Sequence, residues 1–208
     1  MVKPLIDADA LITQFQTATA QQGEQLKRAV STATLQALQG RELTLKNIRA
    51  ALKGVTDAVN TGVMKNALPP ADTEDLIDKA VAGMDDALLK AVEANRVALG
   101  QLVAQGADLR DKHLSKALAD LEKFEDTLMG TVRKAAAGAG EQMAAGWAPV
   151  LEKMQAGGTL SGSRATATAE KLMDDMQAAM RSSRAAGLKA AQAMAESYSA
   201  MVSGVLLG

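Results

Sequence analysis

Apolar side chains recur along this chain at steps of three and four residues, the spacing that places them on one side of an α-helix. The pattern is unbroken from Leu45 to Val59, with apolar residues at positions 45, 48, 52, 55 and 59. A second series runs from Ile77 to Val132 with a mean step of about 3.7 residues, close to that of an eleven-residue repeat. The strict alternation that is typical of β-strands is scarce, so the sequence predicts an all-α protein without strands.

Prolines and glycine clusters divide this helical pattern. Pro69 and Pro70 lack amide donors and clash with a preceding helical turn, so they predict a helix end, with Asp72 as the next N-cap. Pro149 predicts a second break, and residues 156–163 (AGGTLSGS) predict a loop. We therefore expect a single domain over residues 1–208, an elongated antiparallel bundle of three long helices and a short one. Their expected ranges are about 5–68, 72–137, 149–155 (the short helix) and 164–207.

Composition and charge exclude several classes of protein. The chain has 208 residues, no cysteine, one histidine and a net charge of -1. The absence of cysteine excludes disulfides and thiolate sites, and a single histidine excludes a multi-histidine metal site. A nucleic-acid-binding protein needs a basic surface, which this balance of charges does not supply. The start of the chain does not resemble a secretion signal, and no stretch reaches the roughly 18 apolar residues of a membrane-spanning helix, so we expect a cytoplasmic protein.

Candidate catalytic groups do not form a convincing site. His113 lies on the apolar side of the second predicted helix without a second histidine or a Glu-x-x-His motif, so a boundary position is favoured over catalysis. The acidic groups are 85–86, 174–175 and 122–126, where adjacent carboxylates point to different sides of a helix and lysines lie among them. The glycines at 138–140 and 157–158 lack the strand and lysine of a phosphate loop. We therefore expect no enzyme, cofactor or metal.

Two apolar stripes are the candidate interaction face. Methionines concentrate in the C-terminal third, where a flexible, polarisable side chain suits either adaptable binding or ordinary core packing. The long stripes and the apolar C-terminus also predict a homo-oligomer, a dimer or tetramer. The residues of this face are Leu45, Ile48, Leu52, Val55, Met173, Met176, Met180, Met194, Tyr198 and Met201.

Two stretches of the sequence resemble known bacterial helical proteins. Residues 84–93 (MDDALLKAVE), together with the cysteine-free Ala/Gln/Leu/Val-rich helices and the Met/Ala-rich last helix, resemble phasins, which coat polyhydroxyalkanoate granules. Residues 33–49 (ATLQALQGRELTLKNIR) resemble part of an uncharacterised bacterial helical family of similar style. The resemblance implies a non-enzymatic helical protein that presents apolar helix faces to a hydrophobic granule surface.

Two functions therefore remain open at the level of the sequence. In the first, the protein coats or organises hydrophobic storage granules, burying apolar area at roughly 25 cal/mol per Å² while its charged sides keep the particle dispersed. In the second, the chain is a self-associating scaffold or adaptor, in which the same stripes are satisfied within an oligomer and no lipid or polymer is bound.

Overall fold

The computed structural model describes residues 6–19, 22–39, 43–66, 68–105, 112–182, 198 and 201–202. Within these ranges the chain is helical and contains no strand, which confirms the all-α prediction. The helices of the described ranges are α1 (Ala8–Thr17), α2 (Gly23–Leu38), α3 (Leu45–Lys65), α4 (Pro70–Ala104), α5 (Lys112–Glu122), α6 (Phe124–Gly138), α7 (Glu141–Gly157) and α8 (Leu160–Ser182).

The first long helix, expected over about 5–68, is divided into α1, α2 and α3. Side chains at the two breaks make local hydrogen bonds that compete with a continuous helix. Thr44 is the N-cap of α3, and its hydroxyl oxygen accepts a hydrogen bond from the amide of Asn47 at 3.3 Å. Just before α2, the side-chain oxygen of Gln22 accepts a hydrogen bond from the amide of Thr19 at 3.2 Å. The expectation of one rod over this range was therefore wrong.

The predicted break at the two prolines is confirmed, since α3 ends at Lys65 and α4 begins at Pro70. The second long helix, expected over about 72–137, is nevertheless divided into α4, α5 and α6. Between α5 and α6 the amide of Lys123 bonds to the carbonyl of Asp120 in a tight turn. Leu121 and Phe124, on either side of that turn, are both fully buried, so core packing outweighs the continuous helical pattern.

The expected break at Pro149 is absent, because α7 runs through this residue from Glu141 to Gly157. Trp147 and Val150 are buried on either side of the proline, and their packing offsets the missing backbone bond, which costs about 3 kcal/mol in an exposed helix. The expected loop 156–163 shrinks to a turn, and α8 begins at Leu160 rather than near 164. The expected continuation of this helix to 207 lies outside the described residues, apart from 198 and 201–202.

The helices form two packed layers. In one layer α3 lies between α1 and α6; in the other, α4 packs against α2, α7 and α8. α5 lies against α8 and α6. α4 is the longest described helix, at 35 residues or about 52 Å, so the 60-residue rods expected from the sequence are not formed.

Neighbouring helices within a layer run parallel. Between α2 and α4, Glu24 pairs with Lys79 at 2.8 Å and Ser31 donates a hydrogen bond to Asp86 at 2.6 Å. Both pairs join residues 55 positions apart, and a constant offset is possible only when the two helices run in the same direction. The expected antiparallel arrangement of neighbours is therefore incorrect within this layer.

The segment α3–α4 and the segment α6–α8 are stacked in the same way. The hydrogen bonds between them that join residues 75 positions apart are Asn60 to Ala135, Asp78 to Lys153, and Asp85 to Leu160. The offset is 75 residues in both layers, so the segment α6–α8 lies beside the segment α3–α4 as a unit. The chain is thus a stack of helical hairpins, with α1–α2 on one side of α3–α4 and α6–α8 on the other.

All eight described helices contribute to one hydrophobic core. Its large members include Phe15 on α1, Phe124 on α6 and Trp147 on α7, all fully buried. Much of the rest is alanine, valine and leucine, which is why the helices approach closely. Among the described helices, none is long and apolar enough to cross a membrane.

Candidate functional site

The α3 half of the sequence-predicted interaction face lies inside the protein. Ile48, Leu52 and Val55 have no exposed surface, and Leu45 is partly buried against the same core. Their contacts are made with helices of the same chain, since α3 packs against α1, α6 and α2. While the chain keeps this fold, these residues are not available to another molecule.

The C-terminal half of that face is described only in part. Met173 on α8 is 46% exposed, while Tyr198 and Met201 are partly buried against the core. Burial, together with the nearby carboxylate of Asp120, raises the pKa of the Tyr198 phenol. The side chains of Met176 and Met180, and all of Met194, lie outside the described residues.

Large apolar side chains are rarely exposed in the described part of the chain. The exceptions are Met64 at 61%, Leu160 at 70% and Met173 at 46%. Two of the three lie on α8, thirteen positions apart, which places them on different sides of that helix. Exposed apolar surface is therefore concentrated on α8 without forming a continuous stripe.

The start of α8 is fixed by carboxylates from two other helices. Asp85 on α4 accepts hydrogen bonds from the backbone amides of Leu160 at 2.9 Å and Ser161 at 3.0 Å. Glu125 on α6 accepts from the amide of Thr159 at 2.8 Å and from its hydroxyl at 3.2 Å. We call Asp85 and Glu125 the carboxylate cap. It satisfies amides that a helix start leaves unpaired and places negative charge where the helix dipole favours it.

Gly162 allows Glu125 to reach this position. A Cβ at Gly162 would overlap the Glu125 side chain, including its carboxyl group and its Cβ. Gly158, just before α8, has a φ of +68°, a conformation that other residues rarely adopt. The turn between α7 and α8 and the first turn of α8 therefore each depend on a glycine.

A second ionic contact joins α8 to α4. Glu93 on α4 pairs with Arg96 on the same helix and with Arg164 on α8, the latter at 3.0 Å. The hydrogen bond from Arg96, supported by Arg164, outweighs partial burial and lowers the pKa of Glu93 to about 2. Like the carboxylate cap, this contact lies in the first turns of α8.

As far as Asp175, where the described side chains of α8 end, its buried side is poor in large apolar residues. Ala165, Ala169 and Leu172 are its apolar members, and only the last is large. Ser161 and Thr168 are buried beside them, and their hydroxyl oxygens have no hydrogen-bond partner in the described part of the chain. By contrast, α3 buries Ile48 with a full stripe of leucine and valine. Between Leu160 and Asp175, α8 is thus held by charge at its start and by few large apolar side chains.

The sequence did not reveal the carboxylate cap. Asp85 and Asp86 were correctly expected to point apart: Asp85 binds α8, while Asp86 accepts from Ser31 and pairs with Lys90. The sequence could not predict that Asp85 and Glu125 meet at one helix start. Asp85 is 75 positions from Leu160, and Glu125 is 34 positions from Thr159. Residues 157–159 predicted the turn, but they did not predict which side chains bind its backbone.

Catalytic chemistry finds no additional support in the described residues. Groups of three or more acidic or histidine side chains that could hold a metal ion do not occur among them. The side chain of His113 lies outside the described residues. The carboxylates that do converge bind backbone amides rather than an open site.

One comparison with known proteins gives a match. The family model described as "Family of unknown function (DUF6781)" matches residues 1–208. No curated protein and no solved structure matches the chain. The description names neither phasins nor granules, so the resemblance to phasins stays a prediction.

Proposed function

The chain belongs to this family of unknown function, and we propose that it is a non-enzymatic helical protein that coats or organises hydrophobic storage granules in the bacterial cytoplasm. One observation carries the proposal: each described helix gives an apolar side to a shared core and keeps polar residues outside. Such helices can exchange their internal contacts for contacts with an apolar surface, because the hydrophobic effect is non-directional.

The composition of the core favours this exchange. Alanine, valine and leucine are its main members, and aromatic residues are only 2% of the chain. An apolar particle surface can replace aliphatic contacts of this kind at roughly 25 cal/mol per Å². The charged outer sides would then face water and give the coated particle a hydrated surface.

A flotation experiment tests the proposal. Purified protein is mixed with amorphous polyhydroxybutyrate particles and centrifuged through a density gradient, and the helix content of the bound fraction is measured by circular dichroism. We expect the protein to move with the particles while it remains helical. Protein that stays in the unbound fraction at every particle concentration would contradict the coat function.

The methionines of the last helix give a sharper comparison. Replacing Met176, Met180 and Met194 together with glutamine should reduce particle binding if they contact the surface. Met64→Gln is the matched control, because Met64 is 61% exposed on α3, far in sequence from that face. Equal binding by both variants would mean that these methionines do not contact the particle.

The second candidate is a self-associating scaffold without lipid or polymer ligand. It is favoured by the parallel stacking of helical segments, because such a stack can continue into a second copy. Leu160 and Met173, exposed on the outermost stacked segment, provide apolar contact for that copy. A discrete dimer or tetramer that ignores particles would support this function over coating.

A further inference from the structure

We propose that the outer side of α3 and α6 is a binding surface for duplex DNA, which it contacts through the phosphates without reading the base sequence. The net charge of -1 argues against nucleic-acid binding only if the charges are spread evenly over the surface. The fold separates them instead. This binding is independent of the granule function proposed above.

Positive charge is concentrated on α3 and α6. α3 and residues 123–138 together contain seven cations and three carboxylates, and one of these carboxylates, Glu125, faces α8 in the carboxylate cap. The described side chains of α2, α4, α7 and α8 instead comprise thirteen carboxylates and eight cations. The near-zero total charge is therefore the sum of a basic side and an acidic side.

The cations of α3 and α6 point away from the core on the same side of their layer. Those of α3 are exposed opposite the buried stripe of that helix. Lys123 and Lys134 are three turns apart and exposed opposite Glu125, which faces α8. Because α6 runs parallel to α3 at an offset of 75, these two lysines lie level with positions 48 and 59 of α3. We call the following five cations the basic face: Lys46, Arg49, Lys53, Lys123 and Lys134.

Most cations of the basic face are unpaired in the described part of the chain. Lys53 pairs with Asp57 at 2.6 Å, and the other four make no ion pair with a described residue. Six of the eight cations on α2, α4, α7 and α8 do make such pairs. Arg49 also has like charges three and four positions away, at Lys46 and Lys53, an arrangement that destabilises a helix slightly. The basic face is therefore not explained by the stability of the fold, and an external anion would relieve its repulsion.

The dimensions of the basic face fit duplex DNA. Its cations form two rows, one on each helix, and packed helices lie about 8–10 Å apart. This spacing falls between the widths of the two DNA grooves, about 6 and 12 Å, so each row can contact one of the phosphate strands that border a groove. From Lys46 to the level of Lys134 the face is about 20 Å long, or about six base pairs.

Other polyanions fit the basic face less well. Single-stranded nucleic acid is bound by stacking on aromatic side chains, but α3 contains none and Phe124 of α6 is fully buried. Helices that bind an anionic membrane also insert an apolar side, whereas the apolar stripe of α3 faces the core. Contacts between cations and phosphates remain, and these position a protein on DNA without sequence preference.

The salt dependence of binding counts these contacts. Fluorescence anisotropy of a labelled duplex of about 20 base pairs, measured between about 25 and 200 mM salt, gives the slope of log K against log salt. Four unpaired cations predict a slope of about -3.6, and two duplexes of unrelated sequence should give the same value. A protein that does not bind the duplex at the lowest salt would overturn the proposal.

Two triple variants of equal net charge separate the basic face from total charge. The face variant combines Lys46→Gln, Arg49→Gln and Lys123→Gln. The control combines Lys90→Gln, Lys153→Gln and Lys171→Gln, at lysines that pair with carboxylates on α4 and α8. At low salt we expect the face variant to bind DNA at least tenfold more weakly than the control, with a slope of about -0.9. Equal binding by the two variants would mean that total charge governs binding and would overturn the proposal.

Stability measurements exclude an indirect effect through folding. Because the face variant removes like charges, its urea midpoint should be no lower than that of the parent. If the face variant is nevertheless unfolded, Arg49→Gln alone should reduce the magnitude of the salt slope by about 0.9. An unchanged slope in folded Arg49→Gln would contradict a contact between this side chain and phosphate.

Vesicles of phosphatidylcholine and phosphatidylserine test the competing occupant. We expect duplex DNA to bind the parent at salt concentrations at which sedimented vesicles do not retain it. Vesicles that bind the parent but not the face variant, under conditions where the duplex binds neither, would overturn DNA as the occupant in favour of an anionic membrane.

Discussion

Single residues decide how closely the helices of this protein approach. Gly83 on α4 faces α2, and a Cβ added there would lie 2.5 Å from the carbonyl oxygen of Lys27 and 2.9 Å from the Cβ of Val30. Neither atom can move without shifting the α2 backbone. We expect Gly83→Ala to lower the free energy of unfolding by about 1–3 kcal/mol, the usual cost of overpacking.

The matched substitution Gly130→Ala should instead raise the free energy of unfolding. Position 130 is helical and open, so alanine restricts the unfolded chain without creating a clash, worth about 0.4–1 kcal/mol of added stability. Urea titrations of both variants followed by circular dichroism measure the two effects. Equal stability of the two variants would contradict the close approach of α2 and α4.

Asn60 joins three helices through its side-chain amide. It accepts a hydrogen bond from the indole of Trp147 at 2.9 Å and donates one to the carbonyl of Ala135 at 3.2 Å. Asn60→Leu keeps a similar volume but leaves the fully buried indole without its partner, at a cost of about 1–3 kcal/mol.

The fluorescence of Trp147 reports on the same contact, since it is the only tryptophan in the chain. In the native state of Asn60→Leu its emission should change, while Thr61→Ala, at the exposed neighbouring position, should leave emission and stability nearly unaltered. Unchanged emission and stability in Asn60→Leu would mean that the bridge does not form in solution.

At the scale of elements, the contact of α4 with α8 has a defined pH dependence. Arg96 and Arg164 lower the pKa of Glu93 from 4.5 to about 2, so the ionised carboxylate favours the folded state. This contribution is fully present above pH 4.5 and is lost as the pH falls to about 2.

Glu93→Gln should therefore be less stable than the parent above pH 4.5, and the difference should shrink towards pH 2. Urea midpoints measured at several pH values follow the difference. Glu152→Gln, an equal charge change at an exposed site on α7, is the control. A stability difference for Glu93→Gln that does not vary with pH would contradict the ionic contact.

Local signals predicted some elements correctly and long-range packing decided the rest. Pro69 and Pro70 remove donors by their own chemistry, so the end of α3 could be located from sequence. The break near Thr44 carries a capping residue, yet the apolar pattern on both sides suggested one rod. The helix through Pro149 depends on the burial of Trp147, a tertiary effect that no local pattern contains.

The candidate site shows the same division. The apolar stripe at Ile48, Leu52 and Val55 was found from its spacing, but spacing cannot tell a core stripe from an external one. The cap formed by Asp85 and Glu125 depends on the 75-residue offset between stacked segments. That offset arises from packing, and no repeated motif in the sequence indicates it.

At the scale of the whole molecule, the reason for expecting self-association has changed. Long rods would have exposed much apolar surface, whereas the stacked hairpins enclose their stripes in one core. In the described part of the chain, two of the three exposed large apolar side chains, Leu160 and Met173, lie on α8. We still expect a dimer or tetramer, but formed through exposed residues of α8 rather than through the stripe of α3.

Light scattering over a dilution series, without detergent, measures this assembly. Leu160→Gln combined with Met173→Gln should lower the mass at tens of micromolar, a concentration at which contacts of about 6–7 kcal/mol are half-dissociated. Met64→Gln should leave the mass unaltered, because Met64 lies on α3. A parent chain that is monomeric throughout this range would contradict self-association.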